Sequence, residues 1–295
     1  MSDVLVAVLV AGLTSGAVYA LATLGLSLVW GSMRMLNMAH AAMLTLGGYA
    51  AYAGVTGLGL PMVAGVVAAL VAGTAAGALL YGGLVRPLLN RPAAVFETNI
   101  FIATVGAGIA LENAILMTFG GQPLKQPVAV EGAIALPGGG VPLQSLVILS
   151  VSVALMAATA FVLARTRFGR AIRATAQNRE AAELMGVPAG RIYLQVLMLS
   201  GALAGMCGVL VSSITQLSPT LGSDPMLKAF IMCVVAGLGN LPGAILAAFV
   251  LALVEAGVQF AAGARWGFPV LLFIVIAVLI WRPAGLFGRA QIRRL

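Results

Sequence analysis

The sequence predicts an all-α integral membrane protein, a polytopic helical bundle of about 8–9 transmembrane segments with a broken or re-entrant helix near residues 226–243. Three observations carry this expectation. Mean hydropathy is +1.09, and 61% of the 295 residues are hydrophobic against 8% charged, which leaves too little polar surface to cover a water-facing globule. Several apolar runs exceed the roughly 20 residues that cross a hydrocarbon core as helix, and none shows the short alternating segments of an outer-membrane barrel. The basic residues sit in the gaps between these runs, so the formal net charge of +8 reports topology and not a nucleic-acid partner.

The whole chain, residues 1–295, reads as a single transmembrane domain. Residues 4–30 form the first span, with Gly12, Ser15, Gly16, Ala20 and Ala22 allowing close helix approach. That run is longer than the roughly 7–15 residues of a signal-peptide core and no basic leader precedes it, so it is expected to stay as a span. Residues 31–36 break it, and a second span opens at Asn37 and ends near Gly54. A third covers 61–81 and a fourth 98–119. The polar, Pro- and Gly-rich stretch 120–142 then leads into 143–163. After a basic island at 165–191, residues 192–217 cross again and 264–281 supply the last span.

Twelve of the sixteen basic residues lie at three places: Arg86 and Arg91; Arg165, Arg167, Arg170, Arg173, Arg179 and Arg191; and Arg282, Arg289, Arg293 and Arg294. The positive-inside rule makes these cytoplasmic and puts the N-terminus outside. Residues 221–262 must then contribute an even number of crossings. Gly237, Gly239, Pro242 and Gly243 supply the helix break this requires. The apolar piece before it, 226–235, is about ten residues and spans half a bilayer at about 1.5 Å each.

Several chemistries are excluded. Lys125 and Lys228 are the only lysines and neither follows a glycine, so no phosphate-cradling GxxxxGK[ST] loop exists. Gly-x-Ser-x-Gly and His-Glu-x-x-His motifs are absent, and one histidine cannot build a histidine metal cluster. Cys207 and Cys233 lack CxxC spacing and read as buried small residues. The chain is therefore expected to be no enzyme and to bind no cofactor. Polar groups inside spans are candidates for a translocation path: Asn37 and His40, three apart and expected on one helical face, with Glu112 and Asn113 in the fourth span. Glu255 is embedded in an apolar run, where an interhelical hydrogen bond is the plainer reading. The near-absence of intramembrane charge argues against a proton- or sodium-coupled carrier.

The island 165–191 has helix grammar. Thr166 and Asn178 are placed to cap two short helices, and Gly186 followed by Pro188 stops the second. Ala171, Ile172, Thr175 and Ala176 share one face of the first, opposite Arg167, Arg170 and Arg173. Ala181, Ala182, Leu184 and Met185 form an apolar patch on the second. A loop that needed only to be basic would need no caps, apolar face or glycine stop.

Glu180-Ala181-Ala182-Glu183-Leu184-Met185-Gly186 resembles the cytoplasmic loop of ABC importer permeases. Further blocks agree: Gly16 to Leu21 with Asn37-Met38-Ala39-His40 through Gly47-Gly48-Tyr49; Glu97-Thr98 with Leu111-Glu112-Asn113; Gly169-Arg170; Ser200 to Gly205; Gly237-Leu238-Gly239; and Arg282 to Gly288. Together they resemble the LivH-type permease of branched-chain amino acid ABC importers over nearly the whole chain. Ala41-Ala42 depart from that pattern, which usually carries a glycine and then an acidic or polar residue there. The resemblance implies an ATPase-coupling loop at 165–191, with Arg167, Gly169, Arg170, Arg173, Asn178, Glu180, Ala181, Ala182, Glu183 and Gly186 as its working residues. It also implies a bacterial inner-membrane subunit that works with a LivM-type permease or a second copy, two cytoplasmic ATPases and an extracytoplasmic amino-acid-binding protein, with ATP used by those partners. Related permeases carry urea and short amides. An ATP-independent facilitator, or an intramembrane enzyme using Glu112, Glu255 or His40, are the competing readings.

Overall fold

Helix α1 (Ser2–Met33) sets the frame, because its 32 residues make a rod of about 48 Å, longer than the hydrocarbon core. It ends where Arg34 takes a left-handed backbone, φ 54°, and donates its N–H to Trp30 O at 2.9 Å. Helices α2 (His40–Tyr52), α3 (Met62–Leu80), α4 (Arg86–Leu88), α5 (Ala93–Phe119) and α6 (Leu143–Arg165) follow, with π-helical turns after α2 and between α3 and α4. Two short helices, α7 (Arg167–Gln177) and α8 (Arg179–Leu184), lead to α9 (Ala189–Ser212), α10 (Ser223–Ala236), α11 (Leu241–Ala262) and α12 (Gly267–Trp281). The structure is a computed structural model describing residues 2–89, 92–136 and 139–288. Arg91, Arg289, Arg293 and Arg294 lie outside the described residues.

Seven stretches among the described residues are long and apolar enough to cross a membrane: Val4–Met33, Met62–Leu88, Val95–Phe119, Leu143–Arg165, Ala189–Ser212, Leu241–Ala262 and Ala264–Trp281. The sequence expectation of eight or nine counted two further helices. These are α2 and α10, only 13 and 14 residues long, with irregular backbone ahead of each. Helix α10 is longer than the ten residues expected, and the turn at 237–240 separates it from α11.

Small residues let backbone meet backbone in the core. Helix α1 lies along α11, where a Cβ on Gly12 would stand 2.8 Å from Leu253 Cδ2 and one on Gly16 2.9 Å from Phe249 Cδ1. Helix α9 is the central rod. Gly73 of α3 packs on Gly201, Gly77 on the Leu197 carbonyl, and Gly47 of α2 on Gly205. Lipid tails give no hydrophobic drive for helix association, so close van der Waals fit supplies it.

Within the all-α bundle, the stretch 120–142 carries a short hairpin. Strand β1 (Ala133–Leu136) pairs antiparallel with β2 (Gly139–Pro142), and Leu124 and Leu217 exchange two backbone hydrogen bonds of 2.9 Å. With no helical periodicity and many prolines and glycines, this backbone finds partners across strands. Gln126 Nε2 donates to Gly48 O at 3.1 Å and Ser212 Oγ at 2.8 Å. Gln144 Nε2 donates to Ser213 Oγ at 2.6 Å. These bonds gather 120–144, the end of α2 and the end of α9 at one end of the bundle. At the other end Arg179 Nη1 donates to Leu89 O at 2.9 Å, and Leu286 and Phe287 donate backbone N–H to Val235 and Ala236. The irregular stretch 213–222 together with α10 runs from the first end to the second, and α11 runs back.

Candidate functional site

The island forms a ledge at the basic end. Thr166 Oγ1 accepts from Gly169 N at 3.3 Å to cap α7, and Asn178 Oδ1 accepts from Ala181 N at 3.0 Å to cap α8. A Cβ on Gly169 would overlap the Leu163 carbonyl, so only glycine lets α7 fold back against α6. Ile172 and Thr175 are buried, with Ala171 and Ala176 partly so, while Arg167, Arg170 and Arg173 stay exposed. Arg173 Nη1 donates to Leu163 O at 2.6 Å. Arg179 Nε donates to Glu183 Oε1 at 3.0 Å. Glu180 and Ala181 are exposed.

One detail of the expected α8 patch is corrected: Ala182 is buried, because the helix turns that side onto the bundle. The outward surface is made by Leu184, 88% exposed, and Met185, 85% exposed. Gly186 ends it with φ 82°, a conformation that favours glycine. Behind the ledge lies a cavity of about 1170 Å³ lined by Trp30, Arg34, Arg173, Val234, Leu238 and Asn240 among others. Gly237 and Gly239, with φ 98° and 87°, form its floor turn. Asn240 Oδ1 accepts from Gly243 N at 3.0 Å, with Pro242 in the first turn of α11.

The other predicted residues are not gathered with the ledge. Asn37 and His40 are both fully buried, yet they do not share a helical face as expected. Helix α2 begins at His40 and Asn37 belongs to the irregular segment before it. That segment is tolerated within the bundle because Thr104 of α5 accepts from Met38 N at 3.2 Å and the segment is enclosed by protein. His40 packs on α1 so closely that a Cβ on Gly25 would lie 2.9 Å from its Cε1. Asn37 Nδ2 approaches Met43 Sδ at 3.7 Å, and its Oδ1 is without a partner. Glu112 is partly exposed. Asn113 is exposed, its Nδ2 donating to Ile109 O of its own helix at 2.8 Å.

The expected scarcity of intramembrane charge needs correction too. Lys228 Nζ lies 2.9 Å from Glu255 Oε1, 3.0 Å from Asp224 Oδ2 and 2.9 Å from Tyr19 Oη. Sequence reasoning passed over Lys228, although Asp224 and Lys228 stand four apart and an acid inside a span calls for a cation. Cys207 and Cys233 are free and buried. Among the described residues no group of three or more His, Cys, Asp or Glu could hold a metal ion.

A bundle with seven potential spans, glycine-seamed packing and an exposed capped ledge at one end defines a multi-pass membrane transport subunit. Residues 8–280 match the family described as the permease component of branched-chain amino acid transport systems, and the chain belongs to that family. It is 28% identical over 297 residues to the high-affinity branched-chain amino acid transport system permease protein BraD of Pseudomonas aeruginosa, covering 97% of each chain. It is 26% identical over 300 residues to the corresponding protein LivH of Escherichia coli, covering 96% of each. A shorter match, 33% over 135 residues, covers 43% of this chain and 40% of the autoinducer 2 import system permease protein LsrC of Photorhabdus laumondii. No solved structure matches the chain significantly. The chain is a membrane permease component and not an enzyme.

Proposed function

We propose that this chain is the permease subunit of an ATP-driven importer for branched-chain or other hydrophobic amino acids, forming half of the translocation pathway. The carrying observation is the ledge: two large apolar side chains, Leu184 and Met185, stand almost wholly exposed on a capped helix within an arginine-rich loop. Such side chains on a polar, ordered loop are suited to a protein cleft. The ATPase subunits, two in number, seat α8 and move it on binding ATP. This chain binds no cofactor itself. Its other partners are a second permease, LivM-type or another copy, and an extracytoplasmic amino-acid-binding protein. The ledge and the C-terminus face the cytoplasm of a bacterial inner membrane, supported by the arginines collected at that end. Asn37, His40, Glu112 and Asn113 remain path candidates.

Reconstitution with the partner subunits tests this reading. Deleting residues 180–186, or Gly186→Trp, is expected to abolish ATP-driven leucine uptake while membrane insertion continues. Unchanged uptake by these variants, or uptake by this chain alone in vesicles without an ATPase, overturns it in favour of a facilitator.

A further inference from the structure

Charge is placed on α10 at a depth where lipid would not tolerate it. Tyr19 stands 14 residues before the end of α1 and Glu255 14 residues after the start of α11, each about 21 Å from the basic end of its helix. Those two ends are level, since Gly31 packs on Gly239. Asp224 stands 12 residues before the end of α10, about 18 Å from the same end. From the far side the estimate agrees: Gly222 N donates to Thr45 Oγ1 at 3.0 Å, within α2. The cluster of Tyr19, Asp224, Lys228 and Glu255 thus sits inside a hydrocarbon core of about 30 Å.

Its members differ in access. The side chains of Lys228 and Glu255 are 10% and 4% exposed, whereas that of Asp224 is 66% exposed. Lys228 spends its three ammonium protons on Glu255, Asp224 and Tyr19. Glu255 Oε1 also accepts from Gln259 Nε2 at 3.1 Å. Lys228 is shared between two carboxylates, and of the two only Asp224 is open to solvent. An exposed carboxylate at this depth does not face lipid tails.

The rest of that helix face completes the picture. Leu227 is exposed, Phe230 and Val234 are partly exposed, and Leu238 is exposed beyond the helix end. This stripe runs from Asp224 down to the cavity that Val234 and Leu238 help to line. The remaining faces of α10 are covered by α1, α2, α11 and α12. One carboxylate followed by an apolar stripe complements a small solute bearing an ammonium beside an aliphatic side chain.

We propose that the exposed stripe of α10 is a wall of the aqueous translocation path, and that Asp224 is a transient binding point for the α-ammonium group of the amino acid, whose side chain slides along Leu227 and Phe230. Lys228 and Glu255 are positioning residues that hold Asp224 in place. This rests on the importer reading above and narrows it, because urea and short amides carry no ammonium for Asp224 to hold.

The test uses the complete transporter in vesicles. Asp224→Asn is expected to lower ATP-driven leucine uptake about tenfold, as loss of a hydrogen bond to a charged group does, with ATPase stimulation by the binding protein kept. Asp224→Glu is expected to retain most uptake. In a Cys207→Ala, Cys233→Ala background, Asp224→Cys is expected to react with a membrane-impermeant cationic methanethiosulfonate. Wild-type uptake by Asp224→Asn, equal loss in the Asn and Glu variants, or an unreactive introduced thiol each overturns the proposal. The last result is what burial against a cation of the second permease would give. If the unaltered transporter shows no ATP-driven leucine uptake, the importer reading fails first and this inference falls with it.

Discussion

Lys228 and Glu255 bind across the bundle, Nζ to Oε1 at 2.9 Å, and so tie α10 to α11 where neither side chain reaches bulk water. Removing one partner strands the other. Lys228→Met is expected to destabilise the protein by about 3–5 kcal/mol, and adding Glu255→Leu to restore most of that loss. Thermal unfolding of the purified protein in detergent checks both. A double variant that loses as much as the Lys228→Met and Glu255→Leu single variants added together would mean that the pair is not coupled.

Gly73 and Gly201 face each other so closely that the carbonyl of each occupies the place of a Cβ on the other. Both oxygens belong to helix backbone and cannot move aside singly. Gly201→Val is therefore expected to separate α3 from α9 and to abolish the folded monomer on size-exclusion chromatography. Gly57→Ala, where nothing lies within 4 Å of an added Cβ, is the control expected to behave as wild type.

Asn178 caps α8 from an exposed position. Asn178→Ala is expected to cost about 1 kcal/mol of local helix stability and to leave the global melting temperature unchanged. The deficit should emerge as faster amide hydrogen exchange in 179–184, with a partial loss of ATPase coupling. Asn178→Asp, which keeps the capping oxygen, should restore both.

Gly237 and Gly285 are both left-handed, with φ 98° and 82°, and a Cβ on Gly285 would lie 2.5 Å from Gly237 N. Asn240 Nδ2 donates to Phe287 O at 2.9 Å beside them. Gly285→Val is expected to unlatch 284–288 from the turn and to open that segment to limited proteolysis at the basic end, with the seven long helices intact by circular dichroism.

Much of this architecture was legible in the chain. Long apolar runs gave the spans, Thr166 and Asn178 gave the caps, and the glycines at 237, 239 and 243 gave the break, because each signal acts within a few residues. What was not legible depends on partners distant in sequence. Asn37 looked helical with His40 on spacing alone, but Thr104 offers the backbone of its neighbours Leu36 and Met38 a different set of hydrogen bonds. Ala182 looked like part of an outward patch until the bundle beneath it fixed which side of α8 was covered. Lys228 carried no meaning until Glu255, 27 positions later, stood beside it. The pairing of 133–136 with 139–142 was not legible because neither Ala-Ile-Ala-Leu nor Gly-Gly-Val-Pro carries the polar–apolar alternation of a strand.

The glycine seam joining α2, α3 and α9 leaves no lubricating layer of side chains between the rods. Such a block swivels whole or stays put. Whatever stroke arrives at the ledge must then be taken up at the irregular joints between rods, 34–39 and 213–222, and the second of these leads straight into the helix whose carboxylate looks into the gap.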